Sequence, residues 1–197
     1  SPARADVPVQ LYKSFAGNVD FVGTAQTLRT QPNSVDACTV TGSPTTASLS
    51  GLPSGATVEA AYLYWAASGS AADYDVTFEG GAVSADADRR YTATGGSGGE
   101  DYFSGVAEVT SEVATKRNGT YSFDGLSVDT SWDYCSSQGV LGGWSLLVVY
   151  SDPAEDFRVL NVFEGFQAYW GTSLTLTPSN FQIPSSPING RHAHITW

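Results

Sequence analysis

The stretch Gly139–Pro153, GVLGGWSLLVVYSDP, decides how this chain is read. Leu141, Trp144, Leu146, Leu147, Val148, Val149 and Tyr150 form an almost unbroken apolar run, with Gly142 and Gly143 near its start and Ser151-Asp152-Pro153 behind it. A run this short, rich in β-branched and aromatic residues and closed by turn formers, predicts a strand buried on both faces. Such a strand needs a covering layer on each side. Val58–Ala67, VEAAYLYWAA, is the other comparably apolar stretch. The two are expected to be the inner strands of a sandwich.

Working outward, Val7, Val9 and Leu11 fall on one face of a strand over residues 5–15, and Pro8 confines that strand to an edge or first position because it lacks a ladder donor. Asn18 to Arg29 reads as a further strand with Val19 and Phe21 inward and a bulge or bend at Gly23. Tyr74, Val76 and Phe78 alternate with Asp75, Thr77 and Glu79, predicting a half-exposed strand that turns at Gly80-Gly81. Phe103, Val106, Val109 and Val113 fit a helical spacing, so one short helix is expected within 103–115. Tyr121 and Phe123, Phe157–Phe163, Leu174 with Leu176, and Arg191–Trp197 supply later strands. The sum is a single domain over residues 1–197, an all-β, jelly-roll-like antiparallel β-sandwich of about ten strands with one short helix.

Composition narrows the function. Nine basic residues stand against twenty acidic ones, a formal net charge of -11, and the basic residues are mostly scattered singly. There is no basic stripe for a nucleic acid or an anionic membrane surface. No segment approaches the roughly eighteen to twenty apolar residues of a membrane-spanning helix. The absence of methionine and the opening SPARADVP suggest a chain left after removal of a signal peptide. In an exported protein Cys38 and Cys135, which have no CxxC or Cys/His metal spacing, are expected to form one disulfide.

Several segments together resemble a family of secreted bacterial domains of unknown function, notably from actinobacteria, found at the start of cell-surface or extracellular proteins. They are QLYKSFAGNVDFVGT, AAYLYWAASG, EVATKRNGTYSFDGL and GGWSLLVVYSDP followed by FRVLNVFEGF. The resemblance covers nearly the whole chain. It implies a secreted β-sandwich with surface or adhesive association and brings no catalytic or ligand residues. Related sequences continue past HITW, so the end at Trp197 suggests a processed or excised domain.

Candidate sites are few. His192 and His194, two apart on one strand face, could offer two metal ligands but lack a local third. Asp86 and Asp88 are weak candidates for a structural calcium, with Arg89 and Arg90 as competing counter-ions. No GxSxG elbow or partnered thiol marks a nucleophile, so no catalytic residue is assigned and the chain reads as a non-enzyme without a cofactor. Trp132, Tyr134, Tyr169 and Trp170 lie among polar loop residues and could stack on sugar rings. Asn118-Gly119-Thr120 has the form of a glycosylation sequon and equally of a hairpin turn. The expected function is that of an extracellular structural or adhesive protein whose partner is itself. The Val7/Val9/Leu11 strand would add to a neighbouring subunit, in the strongest version as a filament. The alternative is a carbohydrate-binding module that takes a surface polysaccharide.

Overall fold

The computed structural model describes residues 4–42, 44–95, 98–168, 175–179 and 193. Its strands are β1 (Arg4–Ala5), β2 (Val7–Gly17), β3 (Val19–Thr27), β4 (Thr45–Leu49), β5 (Thr57–Ser68), β6 (Asp75–Phe78), β7 (Gly81–Ser84), β8 (Arg90–Gly95), β9 (Glu100–Glu108), β10 (Gly119–Asp124), β11 (Gly142–Ser151) and β12 (Arg158–Phe166). The helices are α1 (Thr110–Lys116) and α2 (Trp132–Ser136).

The two apolar runs are direct neighbours. β11 pairs antiparallel with β5, Trp144 opposite Trp65 and Leu146 opposite Leu63, in the middle of a six-stranded sheet ordered β1-β8-β9-β5-β11-β3. Alternation along these strands feeds two separate cores. Leu63, Trp65, Trp144, Leu146 and Val148 face a four-stranded sheet, β4-β10-β6-β7, which contributes Leu49, Phe78, Tyr121 and Phe123. Tyr62, Tyr64 and Leu147 point the other way, toward a two-stranded ribbon of β2 and β12 that adds Val7, Phe15, Leu160, Val162 and Phe166. The sandwich thus carries a third layer, which is why β5 and β11 show no polar alternation.

Trp144 anchors the larger core. Its ring stacks on Phe123 at 5.4 Å and meets Phe78 edge-on at 6.2 Å, while Nε1–H donates to Thr45 Oγ1 at 2.8 Å. Trp65 lies against Gly105 of β9, where a Cβ would come within 2.5 Å of the indole. Only glycine admits that approach.

Several expectations need correction. Phe103 and Val106 lie on β9, not a helix: β9 pairs with both β5 and β8 and is buried on both faces, so apolar residues of either parity imitate a helical period. Helix α1 begins only at Thr110, after Val109, and buries Val113. A second helix, α2, occupies what reads as polar loop, because its apolar content is confined to Trp132, Tyr134 and Cys135. Gly23 is no bulge: β3 runs in unbroken register on β11, and a Cβ there would sit 3.0 Å from the Leu146 carbonyl oxygen. The β6–β7 turn falls one residue early, at Glu79-Gly80 with φ 54° and 77°, the pair of positive values a type I′ turn requires. Glu79 tolerates this geometry because its carboxylate accepts the Ser122 N–H and pairs with Lys116.

Leu176 is exposed and lies outside any strand. Leu174 and the expected strand over 191–197, Ala193 apart, lie outside the described residues.

The ribbon continues the sheet. β3 and β11 pair as far as Val19 opposite Ser151, and β2 and β12 resume with Gly17 opposite Arg158. One antiparallel ladder therefore runs through two layers, folded over at Asn18 on one strand and at residues 152–157 on the other. Arg158 bridges the corner to Asp20 and Glu155, and the Asp152 N–H donates to the Asn18 carbonyl at 2.9 Å.

Candidate functional site

Two places gather chemistry. The first is the seam between ribbon and sheet. Alternation along β12 puts Leu160, Val162, Glu164 and Phe166 in the inward phase, so one carboxylate is carried into an apolar layer. Arg89, from the turn between β7 and β8, meets it: Nε donates to Glu164 Oε2 at 3.0 Å, Nη2 donates to Oε1, and Nη1 reaches Asp86 Oδ2 at 2.9 Å. The Tyr64 hydroxyl donates to Glu164 Oε1 at 2.7 Å. The rings of Tyr12 and Tyr62 stand 4.2 and 4.7 Å from the guanidinium carbon, within cation–π range. Arg89 is 2% exposed and Glu164 7%. A two-pronged, charge-assisted contact of this kind fixes geometry as well as charge. Its chemical capacity is to lock two layers in one register.

Burial works against the Arg89 charge, yet the hydrogen bonds and charge of Glu164 outweigh it and hold the guanidinium above its ordinary pKa. Burial, then the adjacent Glu164 carboxylate, pushes Tyr64 well above the ordinary tyrosine value of 10.0. Burial raises Tyr62 likewise, and it moves Tyr102 and Tyr121 up to about 12. A raised folded-state pKa means the native protein holds these protons more tightly than the unfolded chain does. That stability is complete below pH 10 and is lost as pH climbs through the folded values. In an alkaline titration, tyrosinate absorbance from these rings should therefore rise together with loss of the β circular dichroism above pH 10. Ionisation of all ten tyrosines near pH 10 with the fold intact would contradict this.

The second place is an open cavity of about 660 Å³ where the loop before β9 meets α2, lined by Glu100, Asp101, Asp129, Ser131, Asp133 and Ser137 among others. Cys38 and Cys135 are disulfide-bonded, with Cα atoms 5.0 Å apart and a sequence separation of 97, and they tie the loop after β3 to α2. Ser68, fully buried at the end of β5, donates from Oγ to the Asp129 carbonyl at 2.8 Å and receives the Leu141 N–H at 3.3 Å. The Ser137 hydroxyl, with help from the Gly98 N–H, outweighs burial and holds the Glu100 carboxyl below its usual range. Trp132 is 80% exposed, flanked by two lining residues, Ser131 and Asp133.

Tyr134 does not join Trp132 as a stacking surface. Its ring is buried edge-on against Tyr102, and its hydroxyl donates to the Asp101 carbonyl at 2.9 Å while accepting the Asp101 N–H at 3.2 Å. On so short a helix, neighbouring aromatics two apart project to different sides, and only one can be in solvent. Tyr169, Trp170, His192 and His194 lie outside the described residues. Asp86 pairs with Arg89, and among the described residues no group of three His, Cys, Asp or Glu is placed to hold a metal. The sequon asparagine, Asn118, is consumed by structure: it accepts the Leu52 N–H at 3.0 Å and donates back to the Leu52 carbonyl. Val7 is buried and Val9 and Leu11 are half-buried, all on β2, with Val7 opposite Phe166 and Leu11 opposite Phe163 of the same chain's β12.

Reading for motifs misses Arg89 and Glu164 because 75 residues separate them. One sign was available: Glu164 breaks the inward apolar phase of VLNVFEGF. In comparison with known proteins, residues 5–190 match the family described as "Protein of unknown function (DUF3344)". No curated protein and no solved structure matches the chain.

Proposed function

We propose, from the premise that the chain belongs to the DUF3344 family, that it is a non-catalytic extracellular structural or adhesive subunit that assembles with copies of itself by strand addition. The observation that carries this reading is the way the N-terminal segment is used. β1 adds in parallel to β8 at the rim of the six-stranded sheet, Arg4 beside Tyr91 and Ala5 beside Thr92, and the Asp6 N–H extends the pairing to the Thr92 carbonyl. Asp6 then reverses direction at φ 45° and releases β2 across the sheet face. A terminal strand that completes a sheet edge can serve a second chain's edge with the same bonds. The disulfide fits an oxidising compartment.

The experiment is negative-stain electron microscopy with size-exclusion light scattering on the secreted, untagged protein. Ordered oligomers or filaments support the reading, and a clean monomer at all concentrations overturns it. Removing residues 1–12 takes away β1 and half of β2 and should abolish assembly. The larger core, which holds Trp65 and Trp144 and no residue of β2, should keep its tryptophan fluorescence. Unchanged polymers from that deletion would sink the strand-addition mechanism.

Exposed Trp132 beside a hydroxyl- and carboxylate-lined cavity favours a second reading, a surface carbohydrate site. A monomeric protein should be taken to a polysaccharide screen with Trp132→Ala as control.

A further inference from the structure

We propose that the unit this chain exchanges with a second copy is the whole ribbon of β2 and β12, seated in trans on the partner's six-stranded sheet where Arg89, Tyr62 and Tyr64 receive Glu164; this rests on the self-assembly reading above. The argument begins at the folded corner. β2:β12 continues the β3:β11 ladder, and the link between β2 and β3 is the single residue Asn18, preceded by Gly17 at φ 145°. Straightening the corner keeps every hydrogen bond of both ladders within one chain. What is lost is the corner itself, with Arg158–Asp20 and Asp152–Asn18, and the docking of the ribbon on the sheet.

The docking contacts are the part a second copy can return unchanged. An opened ribbon leaves Ala60, Tyr62, Val106 and Leu147 uncovered on the sheet and carries Val162, Glu164 and Phe166 away with it. An apolar face with one guanidinium at a set position is complementary to another copy's ribbon as it is to its own. The β1 segment travels with the ribbon and finds the partner's β8. Short, tight hinges are the ones that exchange most readily, since opening relieves the bend. Reciprocal exchange closes a pair, whereas exchange passed from chain to chain runs on into a filament.

The test locks the ribbon at home. In an Ala5→Cys/Thr92→Cys chain the two positions are backbone partners in β1 and β8. Oxidised as a monomer, this chain should stay monomeric where the unlocked protein assembles, and reduction should restore assembly. Mixed Ala5→Cys and Thr92→Cys single variants should give an interchain disulfide within the assembly. A chain lacking residues 1–5 separates ribbon from terminal strand, because it retains all of β2 and should still assemble. Assembly by the locked chain, no interchain disulfide, or loss of assembly on removing residues 1–5 overturns ribbon exchange while self-assembly stands. A monomeric unlocked protein overturns both.

Discussion

Glu164→Leu lowers the unfolding free energy by about 3–5 kcal/mol, the range for removing one partner of a buried ion pair. The cause is what remains. Arg89, 2% exposed, keeps only the half-exposed Asp86 as a counter-charge, and the Tyr64 hydroxyl loses its acceptor. The double variant Arg89→Met/Glu164→Leu should recover most of the loss, since replacing both partners with packed apolar groups is often neutral or better. Denaturant midpoints at constant slope measure both. A single variant within about 0.5 kcal/mol of the wild type, the usual range for surface changes, would show that the seam does not hold the layers together. Loss should also appear first as exposure of Tyr62, whose ring flanks the guanidinium.

Cys38→Ser/Cys135→Ser has the second large effect. Closing a loop of nearly a hundred residues stabilises a fold by about 4.7 kcal/mol on the chain-entropy account. Here the bond joins the loop after β3 to α2, which carries Trp132 and one wall of the acidic cavity. Thermal unfolding of the double variant should shift well down, and limited proteolysis should cut between β3 and β4 or near α2 before it cuts the sheets. A variant with native midpoint and native protease resistance would mean that Arg29 holds this loop unaided. Its guanidinium donates to the Val140 carbonyl at 2.9 Å and the Asp36 carbonyl at 2.8 Å.

Much of the architecture was legible locally. The run from Trp144 to Tyr150 and the run from Val58 to Ala67 announce strands covered on both sides, and they are paired neighbours. Cys38 and Cys135 are bonded, as expected from the sequence. Misreadings arose where a local pattern had two physical causes. Phe103 and Val106 satisfy a helical period because β9 is buried on both faces, and Tyr134 looks like a loop aromatic until its hydroxyl is found on Asp101. The candidate site was hardest to see. Arg89, Glu164, Tyr64 and Tyr12 come from four separate elements, and no spacing rule links them.

By itself the sequence determined the β class, the two central strands and the bonded cysteines, because alternation, apolar runs and redox chemistry act over a few residues or through composition. Only the tertiary structure decided that a third layer covers Tyr62 and Leu147, that Glu164 meets Arg89 beneath it, and that of the two aromatics on α2 Trp132 faces water while Tyr134 is buried. Those outcomes depend on where a ladder folds back on itself, and the fold-back at Asn18 is set by contacts between residues more than a hundred positions apart.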